Sequence, residues 1–285
     1  MTSSPHASVH AAGSLSDISG PLVLIGAGKM GGALLENWLN LGLDPRRIVV
    51  VEPQPSVAVA ALAKLGVRLN PARETIGMAS TIVVAVKPQI APEALSEIAL
   101  LVGPATLVVS VMAGRTLAFL QSALPANASI VRAMPNMPAA IARGMTVAVA
   151  SASLTATQRD IAGRLLAATG AVEWVSEERL MDAVTAVSGS GPAYVFLLAE
   201  CLAHAGAAAG LPAELAQRLA SQTVAGSGEL LVRSREDAAT LRRMVTSPGG
   251  TTAAALDLLM AADGLSALIE RAVAAATRRS RELAG

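Results

Sequence analysis

Aromatic side chains are nearly missing from this chain: two Trp, two Phe and one Tyr in 285 residues. With a formal net charge of only +1, it offers neither stacking rings nor a basic face, which excludes a nucleic-acid platform. Cys201 is the single cysteine. That rules out an intrachain disulfide and a thiolate metal cage, fits a reducing compartment, and leads us to expect a cytoplasmic protein. Lying in an apolar helical run, Cys201 itself is expected to be a buried small hydrophobe. Histidine is almost as scarce. His6 and His10 fall in an aperiodic stretch rich in Ser, Ala and Gly, leaving His204 alone in the folded part. A Ser-His-Asp engine or a histidine zinc site therefore lacks its parts, and no metal is expected. The most apolar segment, 98–112, is broken by Gly103-Pro104, and no clean apolar run of 18 residues occurs, so a membrane span is not expected. Residues 1–19 lack the basic start and apolar centre of a signal peptide and read as a disordered tail.

The chain is rich in apolar residues (53%) and poor in charged ones (15%), and it is long enough for two domains with separate cores. Residues 22–25 form an apolar run of strand length that ends at Gly26-Ala27-Gly28-Lys29-Met30-Gly31, ahead of a helical run over 33–41. This is the strand, glycine turn and helix order of a dinucleotide site. Gly26 allows the tight turn, Gly28 lets backbone approach a pyrophosphate, and Gly31 permits close packing of helix on strand. Among 24 glycines such a triplet arises by chance ~0.17 times per chain, so the context decides. The next strand, 48–51, ends in Glu52, 21 residues after Gly31. A carboxylate there accepts hydrogen bonds from an adenosine ribose and repels a 2′-phosphate, which favours NADH over NADPH.

Strands and helices then alternate: strands at 81–86, 107–111, 129–132 and 172–175, with helices at 60–65 and 92–101 and a capping box opening another at Thr155. Such alternation predicts an α/β fold, a mostly parallel sheet covered on both faces. Ligands bind beyond the carboxyl ends of such strands. The segments there are Lys87-Pro88-Gln89, Met112-Ala113-Gly114 and Ala133-Met134-Pro135-Asn136-Met137-Pro138. Each alone is an ordinary turn; together they line one edge.

Beyond residue 176 the strands stop and helix formers dominate, so we expect a Rossmann-type domain over 20–176 and an all-α domain over 177–285. Helices this apolar need more partners than one small domain offers, which predicts an obligate homodimer with interleaved helices. Within this half, Val245-Thr246-Ser247-Pro248-Gly249-Gly250-Thr251-Thr252 precedes an apolar helical run. Unpartnered N–H groups and the helix dipole favour an anion there, two glycines allow close approach, and Ser247, Thr251 and Thr252 bring hydroxyls. The plainer alternative is a capped surface turn.

Five motifs, Gly26 to Gly31, Ala85-Val86-Lys87-Pro88, Val131-Arg132-Ala133-Met134-Pro135-Asn136, Val187-Ser188-Gly189-Ser190-Gly191-Pro192-Ala193-Tyr194 and Val245 to Thr252, stand in the order and spacing of pyrroline-5-carboxylate reductases. The chain resembles that family from about residue 21 to 283. The resemblance implies reduction of the cyclic imine of L-1-pyrroline-5-carboxylate to L-proline with hydride from NAD(P)H, the last step of proline synthesis. It also implies a Rossmann domain followed by a helical dimerisation domain, in dimers that assemble further. By the same resemblance the substrate carboxylate sits on the backbone at Gly249, Gly250, Thr251 and Thr252, with Ser247 beside it and the hydroxyl of Thr252 near the ring nitrogen. Cofactor contacts are expected at Gly26, Ala27, Gly28, Lys29, Met30, Gly31, Glu52, Val86, Lys87, Pro88, Ala113, Gly114 and Asn136; Glu52 stands where several members of the family carry polar or basic residues, so the choice between NADH and NADPH stays open. Met137 stands where the family commonly carries a threonine, which puts the usual part of Asn136 in question.

The residue inventory fits this chemistry independently. A protonated imine is electrophilic without a histidine acid, so hydride addition needs geometry and a bound reductant. Thr252 can orient the nitrogen, and Lys87 can attract the anionic substrate. Two other readings compete: a hydroxy- or keto-acid dehydrogenase, for which His204 is the available acid/base, and a non-enzymatic sensor of cofactor redox state, which leaves the anion seat unexplained.

Overall fold

The computed structural model describes residues 13–126 and 128–284. Its described residues form two compact units, 13–189 with 277–284, and 190–276. In the first unit the chain runs β1 (Leu22–Ile25), α1 (Lys29–Asn40), β2 (Ile48–Val51), α2 (Val57–Ala61), β3 (Arg68–Leu69), β4 (Thr81–Val84), α3 (Ala91–Ile98), β5 (Leu107–Ser110), α4 (Leu117–Ala123), β6 (Ser129–Met134), β7 (Gly144–Ala150), α5 (Ala156–Ala167) and β8 (Gly170–Trp174). The eight strands make one sheet in the order β3-β2-β1-β4-β5-β6-β7-β8. Every pairing is parallel except β6 with β7.

Helices cover both faces, so β1, β4 and β5 are buried along their whole lengths. Alternate residues feed opposite layers: Leu22 and Leu24 pack with Leu34, Leu35 and Trp38, whereas Val23 and Ile25 pack with Ile82, Leu95 and Ile98. Trp38 is fully buried, and its indole N–H donates to the Leu165 carbonyl at 2.8 Å, tying α1 to α5. Trp38→Ala removes both the packing and this donor. It should cost about 3–5 kcal/mol, a fall in Tm of roughly 8–15 °C at this domain size. Thermal unfolding checks this, and a shift below about 3 °C would show that the cavity is refilled.

The N-terminal segment and the C-terminal boundary of this unit depart from the sequence reading. Leu15 and Ile18, assigned to a disordered tail, are buried in this unit. Leu15 N–H donates to the Leu41 carbonyl at 2.9 Å and Arg47 to the Ile18 carbonyl at 2.7 Å, while Arg164 pairs with Asp17 and holds its carboxyl below the usual range. The rest of that proposed tail, residues 1–12 with His6 and His10, lies outside the described residues. The first unit also continues past residue 176 through α6 (Met181–Val184) and a π turn at Thr185–Gly189. Met181 is fully buried against Val147 and Val149, which is why this stretch belongs with the sheet.

The second unit holds α7 (Gly191–Ala208), α8 (Ala213–Arg233), α9 (Ala238–Met244), α10 (Thr251–Leu259) and the greater part of α11 (Leu265–Ala284). Small residues let α7 and α8 approach: a Cβ on Gly206 would lie 3.3 Å from the Ala216 Cβ. No residue of α7, α9 or α10 is buried. Cys201, expected to be buried, is exposed for the same reason. Phe196 and Leu197 are each 57% exposed. The helical stretch 178–208, which contains an 18-residue window of mean hydropathy 1.3, is the one among the described residues long and apolar enough to cross a membrane by length and composition. Scattered small and polar residues interrupt it, so it contains no unbroken apolar run.

Candidate active site

The turn between β1 and α1 is shaped by its glycines in three different ways. Gly26 has φ +87, and a Cβ there would lie 2.8 Å from the Ala85 carbonyl oxygen. A Cβ on Gly31 would meet the Gly26 carbonyl oxygen at 2.1 Å. Over Gly28, by contrast, nothing lies within 4 Å. Gly28 is the exposed N-cap of α1, and no side chain caps the helix. An open cradle on a helix start, walled by two positions that tolerate no side chain, fits the pyrophosphate of a dinucleotide.

The other sequence-predicted cofactor positions gather on the same sheet edge, since β2, β1, β4 and β5 are consecutive neighbours and all parallel. Glu52 follows β2 and turns toward the glycine turn. Its carboxylate accepts from the Ala27 N–H at 2.8 Å and the Gln54 N–H at 3.0 Å. Val86, Lys87 and Pro88 follow β4, with Lys87 exposed. Ala113 and Gly114 follow β5, Gly114 with φ +69. A link missed in the sequence joins these two loops: Arg115 donates to the Pro88 carbonyl from Nε at 3.1 Å and from an Nη at 2.6 Å, and stacks 4.6 Å from the Phe119 ring. Asn136 follows β6, and its amide is occupied by protein. Its Oδ1 accepts from the Met145 N–H at 2.8 Å and its Nδ2 donates to Ser188 Oγ at 3.3 Å, which fixes the β6 to β7 connection against the π turn. Glu178 was missed as well. It accepts from the buried Arg132 at 2.7 Å and from the Leu117 N–H at 2.7 Å, bracing the start of α4.

The proposed substrate seat lies in the second unit, apart from Lys87, which belongs to the first. Gly249 has φ +65, and the Gly250 N–H donates back to the Ser247 carbonyl at 3.1 Å. A Cβ on Gly250 would sit 2.5 Å from Ser247 Oγ. The chain then enters α10 through an extended Gly250 at φ −81, ψ 174, with no side-chain cap. Ser56, Thr116, Thr155 and Asp237 cap α2, α4, α5 and α9. The start of α10, like those of α1, α3, α7 and α8, has no side-chain cap, whereas the capped-turn alternative would put one there. The N–H groups of Thr251, Thr252 and Ala253 have no intrahelical acceptor, and the helix dipole adds partial positive charge. Thr251 is exposed and Thr252 half-buried. His204 lines a groove of about 460 Å³ between α7 and α8 with Glu200, Gln217 and Ser221, none of them near this turn in sequence. No group of His, Cys, Asp or Glu able to hold a metal occurs among the described residues. Of the carboxyls held below their usual range, Asp17 is lowered by Arg164, Asp44 by Arg46 and Asp237 by the Thr240 N–H, and none is a site residue.

Comparison with known proteins assigns both halves. Residues 178–283 match the family model described as pyrroline-5-carboxylate reductase dimerisation, and 21–114 match one described as NADP oxidoreductase, coenzyme F420-dependent. A pyrroline-5-carboxylate reductase from Synechocystis is 42% identical over 263 residues, covering 92% of this chain and 97% of that protein. Among solved structures, a pyrroline-5-carboxylate reductase from Coxiella burnetii superposes with a TM-score of 0.87 at 32% identity, over 94% of this chain and all of that one. The Plasmodium falciparum pyrroline carboxylate reductase with NADP bound gives 0.79 at 28% identity, over 95% of this chain and 99% of that one. With relatives this similar over nearly its whole length, the chain belongs to the pyrroline-5-carboxylate reductase family.

Proposed function

We propose that this protein reduces L-1-pyrroline-5-carboxylate to L-proline with NADH as its preferred reductant, seating the substrate carboxylate on the start of α10. The reaction is that of its family; the bare helix start at Gly250 is the observation that carries the seat. The N–H groups of Thr251 and Thr252 bind the carboxylate, Gly249 and Gly250 allow its approach, and Ser247 adds a hydroxyl. Held there, the ring presents its nitrogen to the Thr252 hydroxyl, which orients the imine and stabilises the charge that changes as C=N becomes C–N. When bound, the reduced nicotinamide supplies the hydride. The protonated imine needs no protein acid, consistent with a site lacking histidine. Lys87 adds attraction for the anionic substrate.

The cofactor preference rests on Glu52. Its carboxylate faces the glycine turn, where it accepts ribose hydroxyls and repels a 2′-phosphate. The cations nearest β3 are engaged elsewhere: Arg68 with Thr75, and Arg73 with the Glu97 carbonyl. Glu52→Ser should raise kcat/KM for NADPH relative to NADH about tenfold, from one lost repulsion of roughly 1.4 kcal/mol. An unaltered ratio would remove Glu52 from the ribose site.

The apolar helices of the second unit call for a second copy. An α7 with no buried residue matches the core of an obligate dimer cut in half, so dimerisation rather than a bilayer covers α7. Further assembly of dimers and a cytoplasmic location complete the reading. Following NADH and NADPH oxidation with pyrroline-5-carboxylate tests it. No turnover with either cofactor, from protein shown to be folded and dimeric, overturns it.

A further inference from the structure

Asn70 stands directly after β3 and is one of two non-glycine residues with positive φ among the described residues, at +46. Its N–H donates to the Val50 carbonyl at 2.8 Å, continuing the ladder between β2 and β3. Its side chain then does what a further strand residue would do. Oδ1 accepts from the Glu52 N–H at 2.8 Å, and Nδ2 donates to the Glu52 carbonyl at 2.9 Å. Both main-chain polar atoms of Glu52 are thereby held by one amide. The carboxylate of the same residue is held on the other side by Ala27 and Gln54. A carboxylate oxygen carries two lone pairs, so these contacts orient the group and leave acceptor capacity for ribose hydroxyls.

From this clamp we infer that Asn70 is a positioning residue for cofactor selection, acting through Glu52 by fixing where its negative charge stands beside the glycine turn. The inference rests on the reading of Glu52 given above. Asn is suited to the place twice over, because it tolerates the left-handed conformation and its amide pairs with a peptide in both directions. Without the clamp the main chain at Glu52 is free to shift, and a charge displaced by an ångström or two discriminates less between a 2′-hydroxyl and a 2′-phosphate.

Asn70→Gly accepts the same backbone conformation at no steric cost and removes the amide, with added chain freedom. The dissociation constants of NADH and NADPH, measured by calorimetry on the full-length protein without substrate, give the readout, with Tm as the check on folding. We expect the ratio Kd(NADPH)/Kd(NADH) to fall about fivefold in Asn70→Gly, near 1 kcal/mol of discrimination. In a Glu52→Ser background the same substitution should change that ratio less than twofold, the signature of action through Glu52. A generally loosened loop would weaken both cofactors alike in both backgrounds. A folded Asn70→Gly protein with an unmoved ratio, or an equal shift with and without Glu52, overturns the role of Asn70 while leaving Glu52 in place. If Glu52→Ser alone leaves the ratio unmoved, the reading of Glu52 falls first and the inference with it.

Discussion

Alanine at Gly28 is expected to leave the protein folded and weaken cofactor binding at least about 30-fold, some 2 kcal/mol, while alanine at Gly31 should damage the fold itself. The same added methyl group meets opposite surroundings three residues apart. At Gly28 it points into open space at an ordinary negative φ of −68. Nothing in the protein resists it, so Tm should stay within about 3 °C. What it occupies is the volume over the α1 start that a pyrophosphate must enter to reach the backbone N–H groups. At Gly31 the methyl carbon would sit 2.1 Å from the Gly26 carbonyl oxygen. That neighbour is backbone, and its position is fixed by the Gly26 N–H bond to the Val51 carbonyl at 2.8 Å. Helix α1 must therefore lift from the sheet, at the upper end of overpacking costs, about 3 kcal/mol or more. Cofactor titration and thermal unfolding of both variants separate the two roles. A Gly31→Ala protein as stable as the parent, or a Gly28→Ala protein with unchanged affinity, would sink this assignment of the turn.

The strands that build the cofactor edge were legible in the sequence because each is an apolar run stopped by a glycine or proline turn. β7 was not. Its residues, Gly144-Met145-Thr146-Val147-Ala148-Val149-Ala150, carry small side chains that give little periodic contrast, and its antiparallel pairing with β6 depends on how the chain turns after Asn136. Leu15 and Ile18 were hidden by the polar, glycine-rich composition around them, which predicts disorder unless a tertiary groove accepts the two apolar side chains. The glycine turn and the helix starts could be read from spacing alone, since both are local. Those acting across the chain could not. Asn70 reaches back 18 residues to Glu52, Arg115 reaches 27 to Pro88, and Glu178 reaches 46 to Arg132. Each lies in an unremarkable local sequence and finds its partner only when the folded sheet brings distant segments together. The direction of the Glu52 side chain was likewise outside the reach of a pattern, although its position was not.

Thr252→Ala is expected to lower kcat about 100-fold, the effect of losing one well-placed donor at a site of changing charge, with cofactor affinity unchanged within about twofold. Two features of α10 make the substitution clean. Thr252 is the second residue of the helix, and Gly250, not Thr252, occupies the N-cap position, so no cap is lost and alanine is a better helix former than threonine. The N–H groups proposed to hold the carboxylate belong to the backbone and remain. KM for pyrroline-5-carboxylate should therefore rise far less than kcat falls, which separates loss of orientation at the nitrogen from loss of the anion seat. Thr252→Ser keeps the hydroxyl and should recover most of the rate. Thr251→Ala, one residue earlier and exposed, should lower kcat by less than about threefold, under 1 kcal/mol. Steady-state kinetics of the three variants decide the matter: equal losses in Thr251→Ala and Thr252→Ala would mean that the helix start, not a particular hydroxyl, carries the effect. A large loss in Thr252→Ser would mean that the γ-methyl, by packing, positions the ring.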